Sequence, residues 1–206
     1  MKRFKPYLRA IGLAALVAFP VFAPALLGYR LISGSVTFGH VYFFAVEREF
    51  LLALGHVPGW LPQFYSGYPI TLTLDGFLNP FFVLALKYLP ALTAYHWLTY
   101  LFFVANILSA YAFARYLSLS KTASILAALT YAFSGIMVRW TEVIVFTALY
   151  PILPLSFLAC LRIKQGSKAW WWALVAMLAY GWIGGFAELI VYDLVALGPF
   201  CLFLML

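Results

Sequence analysis

Residues 77–92 read FLNPFFVLALKYLPAL. The stretch is apolar, but it is short, and Pro80, Lys87 and Pro90 interrupt it. A helix needs about 20 apolar residues to cross ~30 Å of hydrocarbon. Whether this segment crosses decides the side on which every later loop emerges. The basic residues discriminate, because cytoplasmic loops carry an excess of Lys and Arg. With 77–92 held on one side, nine cations share the inner face: Lys2, Arg3, Lys5, Arg9, Arg115, Lys121, Arg162, Lys164 and Lys168. Four stay outside: Arg30, Arg48, Lys87 and Arg139. If the segment crosses, the balance becomes six inside against seven outside. The segment therefore reads as re-entrant or interfacial, and 30–93 becomes one long first outer loop.

Working outward, apolar runs of membrane-spanning character flank this loop. Residues 10–29 (AIGLAALVAFPVFAPALLGY) follow the basic start MKRFKPYLR and read as a first transmembrane helix. The alternative is a signal peptide, since Ala23-Pro24-Ala25 loosely fits a small-x-small cleavage site. The central proline and the apolar residues after it favour an uncleaved helix. Further spans read as 94–114, 122–138, 143–161, 169–183 and 189–206. With 66% hydrophobic residues, 9% charged residues and a mean hydropathy of +0.99, the chain lacks the polar surface of a water-soluble domain. It reads as an all-α, polytopic integral membrane protein of the cytoplasmic (inner) membrane with its N-terminus inside. The net charge of +7 is no nucleic-acid signal, because the cations fall in short clusters between apolar runs. Cys160 and Cys201 lie inside apolar runs and read as small buried hydrophobes. The last residues, CLFLML, stop inside an apolar run. The expectation is that 1–206 is a single transmembrane domain, the N-terminal part of a longer protein.

The outer loop has two parts. Residues 41–54 (VYFFAVEREFLLAL) have helical character, with Glu47, Arg48 and Glu49 between apolar turns, and suit an interfacial helix. Residues 55–69 (GHVPGWLPQFYSGYP) deny helix continuation at Pro58 and Pro62, and permit tight turns at Gly55 and Gly59. Trp60, Phe64, Tyr65 and Tyr68 are rings suited to the membrane–water boundary. Such a loop is either a roof over a site for an amphiphilic substrate or an anchor that only fixes its own position.

The run REFLLALGHVPGWLPQFYSGYP (48–69) resembles the YfhO-like family of bacterial membrane proteins, through Arg48, Leu51, Gly55, Pro58, Trp60, Pro62, Gly67 and Pro69. LNPFFVLALKYLP (78–90) resembles that family's proline-bounded, semi-buried segment. Residues 114–142 resemble its short basic inner loop, small-residue helix and Ser-Gly turn, and GGFAE (184–188) its small polar turn between helices. Family members are considerably longer than this chain. The resemblance implies a GT-C-like bundle and glycosyl transfer from a polyprenyl-phosphate-linked sugar at the outer membrane face. A carboxylate of the first outer loop would act as base on the acceptor hydroxyl, a contribution of ~10²–10⁴-fold. Fixed positive charge would hold the departing phosphate. Where the family shows an Asp near a Gly, this chain has Gly39-His40, and no acid follows before Glu47.

These considerations give His40, Glu47 and Asp75 as catalytic candidates, with His40 and either Glu47 or Asp75 turned toward one outer-facing cavity beneath Trp60 and Tyr68. Trp60, Tyr65, Tyr68, Arg139 and Glu142 are substrate-binding candidates. Each has a plainer reading. Glu47 and Glu49 would pair locally with Arg48 on a solvated helix face. Asp75 would cap the turn in LDGF (74–77), and Arg139 would pair with Glu142 three residues on. Glu188 and Asp193 fall near and inside an apolar run, where an acid faces a cavity or a partner. His56 reads as exposed and His96 as an interface anchor. No His, Cys or Asp spacing fits a zinc site, while a divalent metal stays open as a cofactor of the implied chemistry. The partners expected are membrane lipid and a polyprenyl-phosphate sugar, and no nucleic acid. The competing functional class is a non-catalytic scaffold that binds or moves a glycolipid. A secondary transporter is disfavoured, because the two halves show no matching broken helices.

Overall fold

The computed structural model describes residues 5–28, 35–57, 59, 60, 62, 67, 69, 78–184 and 187–206, with side chains described from residue 9 onward except at 35–40 and 187. These residues form an all-helical chain: α1 (Lys5–Leu26), α2 (Ser35–Leu54), α3 (Pro80–Tyr88), α4 (Ala91–Tyr116), α5 (Lys121–Ala132), α6 (Gly135–Arg139), α7 (Ile144–Leu149), α8 (Ile152–Lys164), α9 (Ala169–Gly184) and α10 (Ala187–Met205). Among the described residues, four stretches are long and apolar enough to cross a membrane: Arg9–Leu26, Ala91–Tyr116, Ile144–Lys164 and Glu188–Met205. The chain is an integral membrane protein.

The central element is α4, against which α1, α2, α3, α5, α7 and α8 all pack. Helix α1 buries Ala14, Ala18, Phe22 and Ala25, a three-to-four-residue stripe, into Tyr100, Phe103, Val104 and Ile107 of α4. The Phe22 ring stands 5.2 Å from that of Phe103 and 5.8 Å from that of Tyr100. The Tyr100 hydroxyl donates to the Ala15 carbonyl at 3.0 Å, tying the two helices at mid-length. Helix α5 presents Ser124, Ala128 and Ala132, all buried and four apart. This small-residue stripe lets two backbones approach closely where hydrophobicity gives lipid-embedded helices no mutual drive. The expectation of a small-residue helix in this region is met.

One expected span is shorter than it reads, and another bends without being shortened. The run 122–138 breaks at Phe133-Ser134, so α5 has 12 residues and α6 only five. Ser134-Gly135 is the physical reason, since both favour a turn over helix continuation. The run 143–161 divides into α7 and α8 at Tyr150-Pro151, where Pro151 cannot donate its amide. Within segment 77–92, Pro80–Tyr88 form α3, nine residues long, which at ~1.5 Å per residue falls far short of the hydrocarbon thickness.

Charge is segregated along the bundle. Arg9 of α1 and Lys121 of α5 line one groove, which puts the start of α1 beside the start of α5 and the end of α4. The Arg162 guanidinium lies 4.6 Å from the centre of the Tyr116 ring, and Lys164 donates to the Leu204 carbonyl. These contacts bring the ends of α4, α8 and α10 to the same level. At the opposite end Tyr95, near the start of α4, donates to the Glu142 carbonyl, and Arg48 reaches the Leu89 carbonyl.

Candidate functional site

The acid-bearing end is built from α2, α3 and the start of α4. Helix α2 stops at Gly55, whose φ of +76° suits glycine and whose amide still reaches the Leu51 carbonyl at 2.9 Å. Along α2, Phe44, Glu47 and Leu51 fall on one face at helical spacing, and all three are buried. The Phe44 ring meets Phe82 of α3 at 5.1 Å and Tyr95 of α4 at 5.7 Å. Glu47 is thus the one acid in an otherwise apolar stripe.

Its burial is complete, at 0% exposure, and neither carboxylate oxygen has a hydrogen-bond partner among the described residues. Loss of hydration with nothing in exchange pushes the Glu47 carboxyl up to about 8. The reading of Glu47 on a solvated face, paired with Arg48, is therefore corrected. Arg48 instead donates through Nε to the Leu89 carbonyl at 2.8 Å, beyond the last turn of α3. A cation at a helix C-terminus satisfies an orphan carbonyl and complements the dipole. Glu49, on the outward face, is exposed as expected.

Helix α3 is held by a residue that sequence reasoning passed over. Asn79 is fully buried at its N-cap, and its Oδ1 accepts from the Phe81 amide at 3.0 Å. Its Nδ2 donates to the Tyr180 hydroxyl at 2.8 Å and to the Gly184 carbonyl at 3.1 Å, both on α9. One amide thereby starts α3 and ties it to a helix a hundred residues away. The signal was present in Asn79-Pro80, a capping residue followed by proline at N1. The tie to α9 had no local trace.

The other candidates are placed as follows. Arg139 and Glu142 form an ion pair, Arg139 exposed and the Glu142 side chain largely covered, and the Arg139 guanidinium also stands 5.7 Å from the Trp140 ring centre. Trp60 is half-exposed and its indole lies over Gly67, where a Cβ would collide with the ring. The φ of +119° at Gly67 independently favours glycine. Tyr65, Tyr68 and Asp75 lie outside the described residues, as does the side chain of His40, whose backbone belongs to α2. The expected convergence of His40 with either Glu47 or Asp75 beneath Trp60 and Tyr68 therefore lies outside the described residues in all but Glu47 and Trp60.

His96 is not an interface anchor: it is buried, with its ring centre 6.1 Å from that of Tyr95. His56 is exposed, as read. Asp193 lines a small cavity of about 160 Å³ with Tyr131, Tyr150 and Tyr192, in keeping with an acid that faces a cavity. Tyr131 donates to the Tyr150 carbonyl at 3.1 Å, and Tyr192 to the Glu188 carboxylate. Asn106 and Ser156, unremarked in sequence, are buried in α4 and α8 with side-chain atoms that have no partner among the described residues. Cys160 and Cys201 are free thiols with sulfurs 3.5 Å apart, packing α8 on α10. Among the described residues no three His, Cys, Asp or Glu side chains gather as metal ligands.

Compared with protein-family models, with curated proteins and with solved structures, the chain shows no match.

Proposed function

We propose that the chain is the core of a GT-C-like membrane glycosyltransferase, acting at the outer face on a polyprenyl-phosphate-linked sugar, with Glu47 as the proton-transfer group. One observation carries this reading: a carboxyl group in the segment after α1 is fully buried on an apolar stripe and has no partner among the described residues. A buried, unpaired acid weakens the fold by itself, and such groups cluster where chemistry uses them. A carboxyl near 8 has an affinity for protons matched to general acid–base work at neutral pH. The Trp60 indole, held over Gly67 and half-exposed, would cover the lipid-linked donor. The charge segregation supports the orientation, with the cation-rich end in the cytoplasm.

The second reading, a glycolipid-binding scaffold without catalysis, has its own support. Gly39-His40 stands where the resembled family has its acid. Reconstituted vesicles containing a polyprenyl-phosphate sugar separate the two. For the transferase, Glu47→Gln lowers transfer by at least ~10²-fold while donor binding persists. For the scaffold, the wild-type protein binds donor and turns none over. Trp60→Ala weakens donor binding in either case. Unchanged binding with a lowered melting temperature would reduce the loop to an anchor.

A further inference from the structure

The larger described cavity lies at the opposite end from Glu47. It is a groove of about 390 Å³ between α1, α4 and α5. Its walls are Leu13, Ala14 and Val17 of α1, Ile107 and Leu108 of α4, and Ile125, Ala128 and Leu129 of α5, with Tyr111 beside them. At one end stand two cations, Arg9 and Lys121. No carboxylate lines the groove, and among the described residues the ion pair formed is Arg139–Glu142, at the far end of the bundle.

Three other cations at this level are engaged. Arg115 donates to the Leu119 carbonyl, Arg162 lies on Tyr116, and Lys164 holds the Leu204 carbonyl. Arg9 and Lys121 are both exposed at the mouth of an apolar slot. Lys121 is also the first residue of α5, the helix end that carries free amides and partial positive charge. The pairing of an elongated apolar slot with two cations at its end matches one molecule: an amphiphile with an anionic head. In a membrane-embedded bundle the abundant molecule of that kind is a bilayer lipid.

We propose that this groove binds an anionic phospholipid of the surrounding membrane. Its phosphate sits between Arg9 and Lys121, and one acyl chain lies along α1 and α5. Basic pockets between transmembrane helices hold lipid headgroups in this manner, and the volume suits a bound hydrocarbon chain. The bound lipid fills the seam between α1 and α5, each of which packs against α4. This assignment is independent of the glycosyl-transfer reading, since no group of the Glu47 region takes part.

The test is thermal unfolding and native mass spectrometry of the purified chain in detergent, with phosphatidylglycerol or phosphatidylcholine added. Phosphatidylglycerol should stabilise the wild type and co-purify at about one molecule per chain, and phosphatidylcholine should do neither. Arg9→Gln and Lys121→Gln should each weaken phosphatidylglycerol binding about five-fold, and the pair about thirty-fold. Lys168→Gln, at the same end but outside the groove, should leave binding unchanged. Equal losses from Lys168→Gln would mean diffuse charge and no site, overturning the proposal. Equal stabilisation by inorganic phosphate would mean an ion site without a chain, and a tighter grip on polyprenyl phosphate than on phosphatidylglycerol would assign the groove to a different lipid. Both would overturn it.

Discussion

Ionisation of Glu47 should make the fold weaken as the pH rises. The unfolded chain ionises this carboxyl near 4.5, whereas burial in the folded chain holds it to about 8. Between these values the folded state binds the extra proton, so stability falls with rising pH. The contribution is fully present below 4.5, and its loss is complete only above 8. At 1.36 kcal/mol per pH unit, linkage gives a loss of roughly 4 kcal/mol between pH 5 and pH 9. For a chain of this size that corresponds to a fall in Tm of about 8–16 °C. Other ionisable side chains add their own pH dependence to the wild-type profile. On the helices packed against α2, the titratable groups nearest it in sequence position along α3 and the start of α4 are Lys87, Tyr88, Tyr95 and His96. The informative quantity is therefore a difference of slopes. Melting of the wild type and of Glu47→Gln should be followed in detergent at pH 5, 7 and 9. Glu47→Gln should flatten the profile by the stated amount and be the more stable protein at pH 9. Parallel profiles would mean that Glu47 is hydrated or paired in the folded chain, and the argument from its burial would fail.

Further outcomes follow from other parts of the fold. Asn79→Ala removes the α3 cap and orphans the Tyr180 hydroxyl, and should cost roughly 2–3 kcal/mol in thermal unfolding. Asn79→Asp, which keeps the cap and loses both donations to α9, should fall between the two, and an unchanged Tm for Asn79→Ala would remove the tie from the account. Mild oxidation should join Cys160 and Cys201, read as loss of two thiols per chain and a mass lower by two hydrogens; two reactive thiols remaining after oxidation would argue against the α8–α10 packing. Single cysteines at His56 and Ser120, in a background of Cys160→Ala and Cys201→Ala, should label from opposite sides of the membrane in intact vesicles, with His56 the outer one. Labelling of both from one side would refute the assignment of ends.

Composition and charge alone were enough to make this a helical membrane protein, because burial in lipid needs long apolar runs whatever they pack against. The proline-bounded 77–92 segment was also legible, since chain length and Pro80 bound a short helix before any tertiary contact forms. So were the left-handed turn at Gly55 and the small-residue face of α5, which are local in sequence. Where a span was misjudged, at Ser134-Gly135, a hydropathy run cannot report a break that leaves the residues apolar. The three-dimensional packing decided what lies across the helices. Glu47 looked like one member of an exposed Glu-Arg-Glu cluster, yet the neighbours that strip its water, α3 and α4, come from a segment some forty residues on. Arg48 left that cluster for a carbonyl at the end of α3, His96 turned from the interface into the buried interior, and Asn79 found Tyr180 and Gly184 on α9. Each of these depends on which helix faces which, and that is set by side-chain fit between distant segments, on which the periodicity of one helix is silent.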